Sequence, residues 1–221
     1  MKKIVLFLFI TNFSTLYAQQ HLIGIKGGIN WANINLPTTL SDLVLHESKT
    51  GFIGGLTYEY LFKKYFSLSA DVLYAQYGFL GDRGGIYSRS LSGTERSRYE
   101  YNYLSMPIKA GYRIGDKIYG FVNLGLTPSI LRESSIKIDI YSYIVDPAFT
   151  RYIGSQPAQF DIAGIIELGG GCKIKSRAFL FTSLAYQQSF TTFSNDNYLA
   201  GIRPRHYGIS LSVGLKYAIT K

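Results

Sequence analysis

The groups in this 221-residue chain with the types to do acid–base, nucleophilic or metal chemistry are few: three histidines, one cysteine and the polar residues near them. His21, His46 and His206 do not form metal-ligand spacings, so no metal is expected. His46 sits in the stretch SDLVLHE (41–47), beside Ser41, Asp42 and Glu47. A hydroxyl, an imidazole and a carboxylate so placed could activate a nucleophile against a lipid at a membrane rim. The same three types meet easily by chance in a polar loop, so no catalytic residue and no cofactor are expected. Cys172 is alone, which rules out an intramolecular disulfide. Its neighbours at alternate positions are apolar, the setting of a small buried or lipid-facing residue. The glycines of GIKGG (24–28) and GGGCK (169–173) have neither a following helix nor a Lys-Ser/Thr pair, so they are not phosphate loops. Inside a strand pattern, glycine marks a bend or the close approach of a side chain.

Charge narrows the partners. The chain carries a formal +9 and a pI near 9.5. Such an excess often accompanies nucleic acid. Here the N-terminus reads as a secretory signal: Lys2 and Lys3, the apolar run Ile4–Ile10, then Tyr17-Ala18-Gln19 with cleavage after Ala18. The run is too short for a transmembrane helix. An exported chain meets anionic lipid and lipopolysaccharide phosphate before it meets nucleic acid. Arg83, Arg89, Arg96 and Arg98, in the Gly/Ser/Arg-rich segment 81–100, are the residues that would touch such phosphate. The expected division is a signal peptide, 1–18, and one domain, 19–221.

The domain is organised by a period of two. From Tyr207 to Ile219 every odd residue is apolar and the even ones between are small, polar or charged, the mark of a strand with two unlike faces. Tyr207 to Tyr217 has the length of about 9–11 residues that a tilted strand needs to cross a bilayer, with a tyrosine at each interface. Seven further strands are expected near 22–31, 51–62, 66–79, 100–114, 118–129, 159–174 and 178–190. Those at 118–129 and 178–190 are apolar on both faces, so their orientation stays open. Pro107 interrupts the strand at 100–114, and a bulge is expected there. Short turns at 62–65, 115–117 and 175–178 alternate with long connections at 32–50, 81–98, 131–158 and 191–204. The fold class expected is all-β: an eight-stranded antiparallel up-and-down transmembrane β-barrel with four long external loops and short periplasmic turns.

This pattern assigns two sets of residues. Lys26, Glu59, Asp71, Lys109, Arg113, Asp161, Glu167, Lys173 and Lys216 point inward, five basic and four acidic groups. A barrel of eight strands is just wide enough for side chains to fill, so near-balanced charges are expected to pair as a plug. Glu167 and Lys173 share a strand six residues apart and cannot meet, so each needs a partner from a neighbouring strand. Trp31, Tyr58, Tyr60, Tyr74, Tyr112, Tyr207 and Tyr217 are the expected interface aromatics.

The segments GIKGGINWANI (24–34), YLSMPIKAGYRIG (103–115), YGFVNLGLTPSIL (119–131), FDIAGIIELGGGCKI (160–174) and YGISLSVGLKY (207–217), in this order, resemble the PorT-like outer-membrane β-barrel family. The resemblance covers nearly the whole mature chain. It implies an eight-stranded outer-membrane barrel and supplies no catalytic residues. One family member is an accessory to protein secretion, so envelope or secretion-system proteins join outer-membrane lipid as expected partners. The leading expectation is a monomeric, non-enzymatic barrel working through its loops. The alternatives are a secretion accessory, a lipid-modifying enzyme using His46, and a soluble lipocalin-like barrel with its apolar faces inside.

Overall fold

The computed structural model describes residues 20–35, 46–62, 65–82, 96–139, 149–152, 157–193 and 203–219. The expected signal peptide, Ser41, Asp42, Arg83 and Arg89 lie outside them. Among the described residues ten strands form one antiparallel sheet: β1 (Gln20–Asn35), β2 (His46–Phe62), β3 (Phe66–Asp82), β4 (Arg96–Ser105), β5 (Ile108–Gly115), β6 (Ile118–Asp139), β7 (Phe149–Tyr152), β8 (Phe160–Lys173), β9 (Ala178–Ser189) and β10 (Arg205–Ala218). β4 and β5 follow one another in a single position between β3 and β6, and β7 pairs only with β6. The remaining order is up-and-down, and β10 pairs with β1 from Leu22↔Ala218 to Asn35↔Arg205. That pairing closes a ring of eight. Closure leaves no free sheet edge, the condition a sheet must meet in hydrocarbon.

The faces follow from the alternation. Ile25, Leu56, Leu68, Leu124, Leu168, Leu184 and Val213 point outward and are exposed, Leu124 to 66%. The residues between them are buried and mostly polar. A lipocalin-like arrangement is therefore excluded: the apolar rows lie outside and the charges inside, the reverse of a soluble barrel around an apolar ligand. The two open orientations also resolve. Ile118, Val122, Leu124 and Leu126 of β6 face out, as do Leu180, Leu184 and Tyr186 of β9. Cys172 is half-buried and lies between Ile118 and Leu180 in the outward row.

Two expectations need correction. Pro107 causes a two-residue break between β4 and β5, not a bulge. The register against β3 is the same on both sides of it (Leu73↔Ser105, Ala70↔Ile108), and so is the register against β6 (Ser129↔Ser105, Leu126↔Ile108). Ladder bonds still bracket the proline: the Asp71 amide donates to the Pro107 carbonyl at 3.0 Å, and the Met106 amide to the Pro128 carbonyl at 2.8 Å. The register shift of this strand lies higher, between Asn102 and Tyr103. Secondly, much of what reads as long loop is strand. β1 runs to Asn35, β2 begins at His46, β4 begins at Arg96 and β6 continues to Asp139. Pairing satisfies the backbone outside the membrane as well as in it, so the hairpins continue upward. The short turns, which face the periplasm in outer-membrane barrels, are at the opposite end.

Candidate functional site

Among the described residues, the charged and polar side chains gather in the lumen, and they are layered. At its centre four charges from four strands meet. Lys109 of β5 places its Nζ 2.8 Å from Asp71 Oδ2 of β3 and 2.7 Å from Glu167 Oε2 of β8. Lys26 of β1 reaches the same two carboxylates at 2.8 and 3.4 Å. Asn123 Nδ2 of β6 donates to Glu167 at 2.9 Å. Asp71, Lys109 and Glu167 are only 2–3% exposed. Two ammonium and two carboxylate groups leave the cluster neutral, the form in which charge survives in a dry interior. The two lysines that hold Glu167 come from strands that do not adjoin β8, whereas Asn123 is its cross-strand neighbour on β6. A narrow barrel puts opposite walls within reach of a lysine side chain.

Below this layer Lys216 Nζ lies 2.7 Å from Glu59 Oε2, over the Phe181 ring. Around them Leu22, Leu61, Tyr119, Phe179, Phe181 and Phe121 form an apolar plug. Glycines on facing strands make room for the rings. A Cβ at Gly214 would stand 2.5 Å from the Phe181 ring and from the Ile25 carbonyl oxygen, and one at Gly171 would stand 2.5 Å from the Tyr119 hydroxyl. Gly214→Ala is expected to cost about 1–3 kcal/mol by overpacking, measured by denaturant unfolding of the barrel in micelles. An unchanged midpoint would show that the ring is not seated there.

Above the centre, Asp161 accepts hydrogen bonds from Ser189 Oγ, at 2.7 Å, and from Thr191 Oγ1. It has hydroxyl partners and no cation among the described residues. Higher still, Tyr77, Phe79, Tyr101, Tyr103, Phe193 and Leu73 form a second apolar plug. His206 is buried against it, its ring stacked 4.1 Å from that of Phe193. Neither of its nitrogens has a hydrogen-bond partner among the described residues. Burial pushes the imidazole down to about 3, so it is neutral at physiological pH. At the outer end Glu100 binds Lys137 at 2.9 Å and Lys49 at 3.7 Å. Burial pushes the Glu100 carboxyl up, but the Lys137 hydrogen bond and the charges of Lys49 and Lys137 outweigh it and hold the group below its ordinary value. Burial pulls the Lys49 ammonium down, against the pull of Glu100.

Seven of the nine inward charges thus take part in these layers. Arg113 instead lies 3.4 Å over the Tyr119 ring, low in the barrel. Lys173 is exposed at the lower mouth, because its strand ends there. Of the aromatics, Trp31, Tyr58, Tyr74, Tyr112 and Tyr217 stand exposed on the outer wall, and Tyr60 and Tyr207 are half-buried there. Tyr58 shares a 2.7 Å hydrogen bond with His21 Nδ1 at the lower belt. Asn123 and the two aromatic plugs were not singled out by the pattern. Among the described residues no three histidine, cysteine or acidic groups could hold a metal.

A family model and one solved structure agree with this architecture. A family model described as "Outer membrane protein beta-barrel domain" matches residues 17–217. Among solved structures, the outer membrane protein OprG from Pseudomonas aeruginosa is 13% identical with a TM-score of 0.53, over 91% of this chain and 97% of its own. Neisserial surface protein A is 11% identical with a TM-score of 0.46, over 91% and 99%. Ail, the attachment invasion locus protein of Yersinia pestis, is 13% identical with a TM-score of 0.41, over 90% and 99%. At these identities the likeness to OprG speaks to the fold alone. No curated protein matches the chain in sequence.

Proposed function

The chain belongs to the outer membrane protein beta-barrel domain family, and from that premise we propose that it is a sealed, non-enzymatic barrel that works through its outward-facing end. It is an integral outer-membrane protein. In this reading the signal peptide, 1–18, directs export, the barrel is a monomer, and the strand extensions and loops above the membrane meet other envelope components. Arg96 and Arg98, with Arg83 and Arg89, would contact lipopolysaccharide phosphate. The observation that carries the reading is the filled lumen: a neutral, buried charge cluster between two aromatic plugs. A selective pore would instead keep its lining charges hydrated and favour one sign. Reconstituted in planar bilayers, the protein is expected to show no steady single-channel current. A stable open conductance would sink the sealed-lumen reading.

The resemblance of the ordered motifs to PorT-like members supports a narrower version, in which the outward or inward end serves a protein secretion system. Deleting the gene is then expected to leave secreted cargo in the periplasm, and normal secretion would remove that version.

A further inference from the structure

We infer that the periplasmic mouth of the barrel is a binding site for a phosphate monoester. A cavity of 420 Å³ opens there, below the lower aromatic plug. Phe179 and Leu61 give it an apolar wall. Three cations line it, Arg113, Lys117 and Lys173, against one carboxylate, Asp116. The excess is two positive charges.

Arg113 is the observation that turns a basic mouth into a built site. It is only 5% exposed. Its guanidinium carbon lies 3.4 Å from the centre of the Tyr119 ring and 5.2 Å from that of Phe179. No carboxylate or other acceptor among the described residues bonds it. The Glu59 and Asp116 carboxylates act on its charge without bonding it, and Glu59 is itself held by Lys216 at 2.7 Å. Contact with aromatic rings satisfies none of the N–H donors of a guanidinium, and those donors match the paired oxygens of phosphate or carboxylate. A buried charge with no acceptor is costly, and an oxyanion in the cavity removes that cost.

The lysines are placed to complete the cradle. Gly115, with φ at +99°, makes the tight turn that brings Lys117 to the rim. The Lys173 amide donates to the Lys117 carbonyl at 2.8 Å, so the two lysines rise from paired backbone. The charge count selects the ligand. A carboxylate carries one negative charge and leaves the mouth positive. A phosphate monoester carries about −1.5 to −2 at pH 7 and matches the excess. The ester's source is either a soluble phosphate of the periplasm or the headgroup of a lipid in the inner leaflet.

The test is a phosphorus-31 NMR titration of the refolded full barrel in maltoside micelles. Glycerol 3-phosphate is the soluble probe and acetate the carboxylate control. A parallel arm uses phosphatidylcholine vesicles doped with phosphatidic acid. Saturable binding is expected in at least one arm, with acetate competing at least tenfold more weakly. Binding of glycerol 3-phosphate identifies a soluble source; binding of phosphatidic acid alone identifies the lipid. Because Arg113 is buried and its loss threatens folding, the deciding variant is Lys117→Gln with Lys173→Gln, two exposed positions. It is expected to weaken binding at least tenfold while leaving the barrel folded by circular dichroism. No saturable binding in either arm, equal competition by acetate, or unchanged affinity in the double variant overturns the proposal.

Discussion

Replacing Lys109 with methionine is expected to destabilise the barrel by about 3–5 kcal/mol, the cost of breaking a buried ion pair from one side. Lys109 is the shortest bridge in the central cluster, 2.8 Å from Asp71 and 2.7 Å from Glu167. Methionine nearly preserves its volume, so the loss is electrostatic and not a cavity. What remains is two carboxylates sharing Lys26, with a net negative charge in a buried layer. Adding Glu167→Gln restores neutrality, because Lys26 and Asp71 remain as a 2.8 Å pair. The double variant is therefore expected to recover part of the loss, with a coupling of about 0.5–3 kcal/mol. Denaturant unfolding in micelles, followed by circular dichroism, measures Lys109→Met, Glu167→Gln alone and the double variant. Additive losses would mean that the two residues do not share a cluster.

Placing arginine on the outer wall gives the second large effect. Val213 lies mid-way along the Tyr207–Tyr217 belt and is 56% exposed. Val213→Arg is expected to cost about 2–4 kcal/mol in vesicles, falling to about 0–1 for Tyr217→Arg at the interface. The gradient with depth matters more than either value. In water neither substitution adds a buried charge, so a barrel that faced solvent would show no such gradient. Equal costs at the two positions would contradict a lipid-facing wall.

Much of this architecture is legible in the chain because the side-chain period of a strand is two. β1, β2, β3 and β10 alternate cleanly, so Ile25 and Leu215 fall outside while Lys26 and Lys216 fall inside. β6 and β9 resist the same reading because their inward rows are aromatic: Tyr119, Phe121, Phe179 and Phe181. The usable signal was on other strands, in glycines such as Gly171 and Gly214 whose missing side chains make room for those rings. Pairing across the lumen is a different matter. Which lysine meets Glu167 depends on barrel diameter and stagger, which are properties of closure and not of any one segment. The outer ends of β1, β4 and β6 are equally hard to read, since outside the membrane no apolar row is needed to mark a strand.

Trp31 offers the most direct measurement of the central claim, that this wall faces lipid. It is the single tryptophan of the chain and stands 39% exposed on the outer surface. In vesicles its emission is expected to be blue-shifted, quenched by lipids brominated near the head-end of the acyl chain, and largely protected from acrylamide in the water. A red-shifted emission, quenched by acrylamide and indifferent to brominated lipid, would contradict the account.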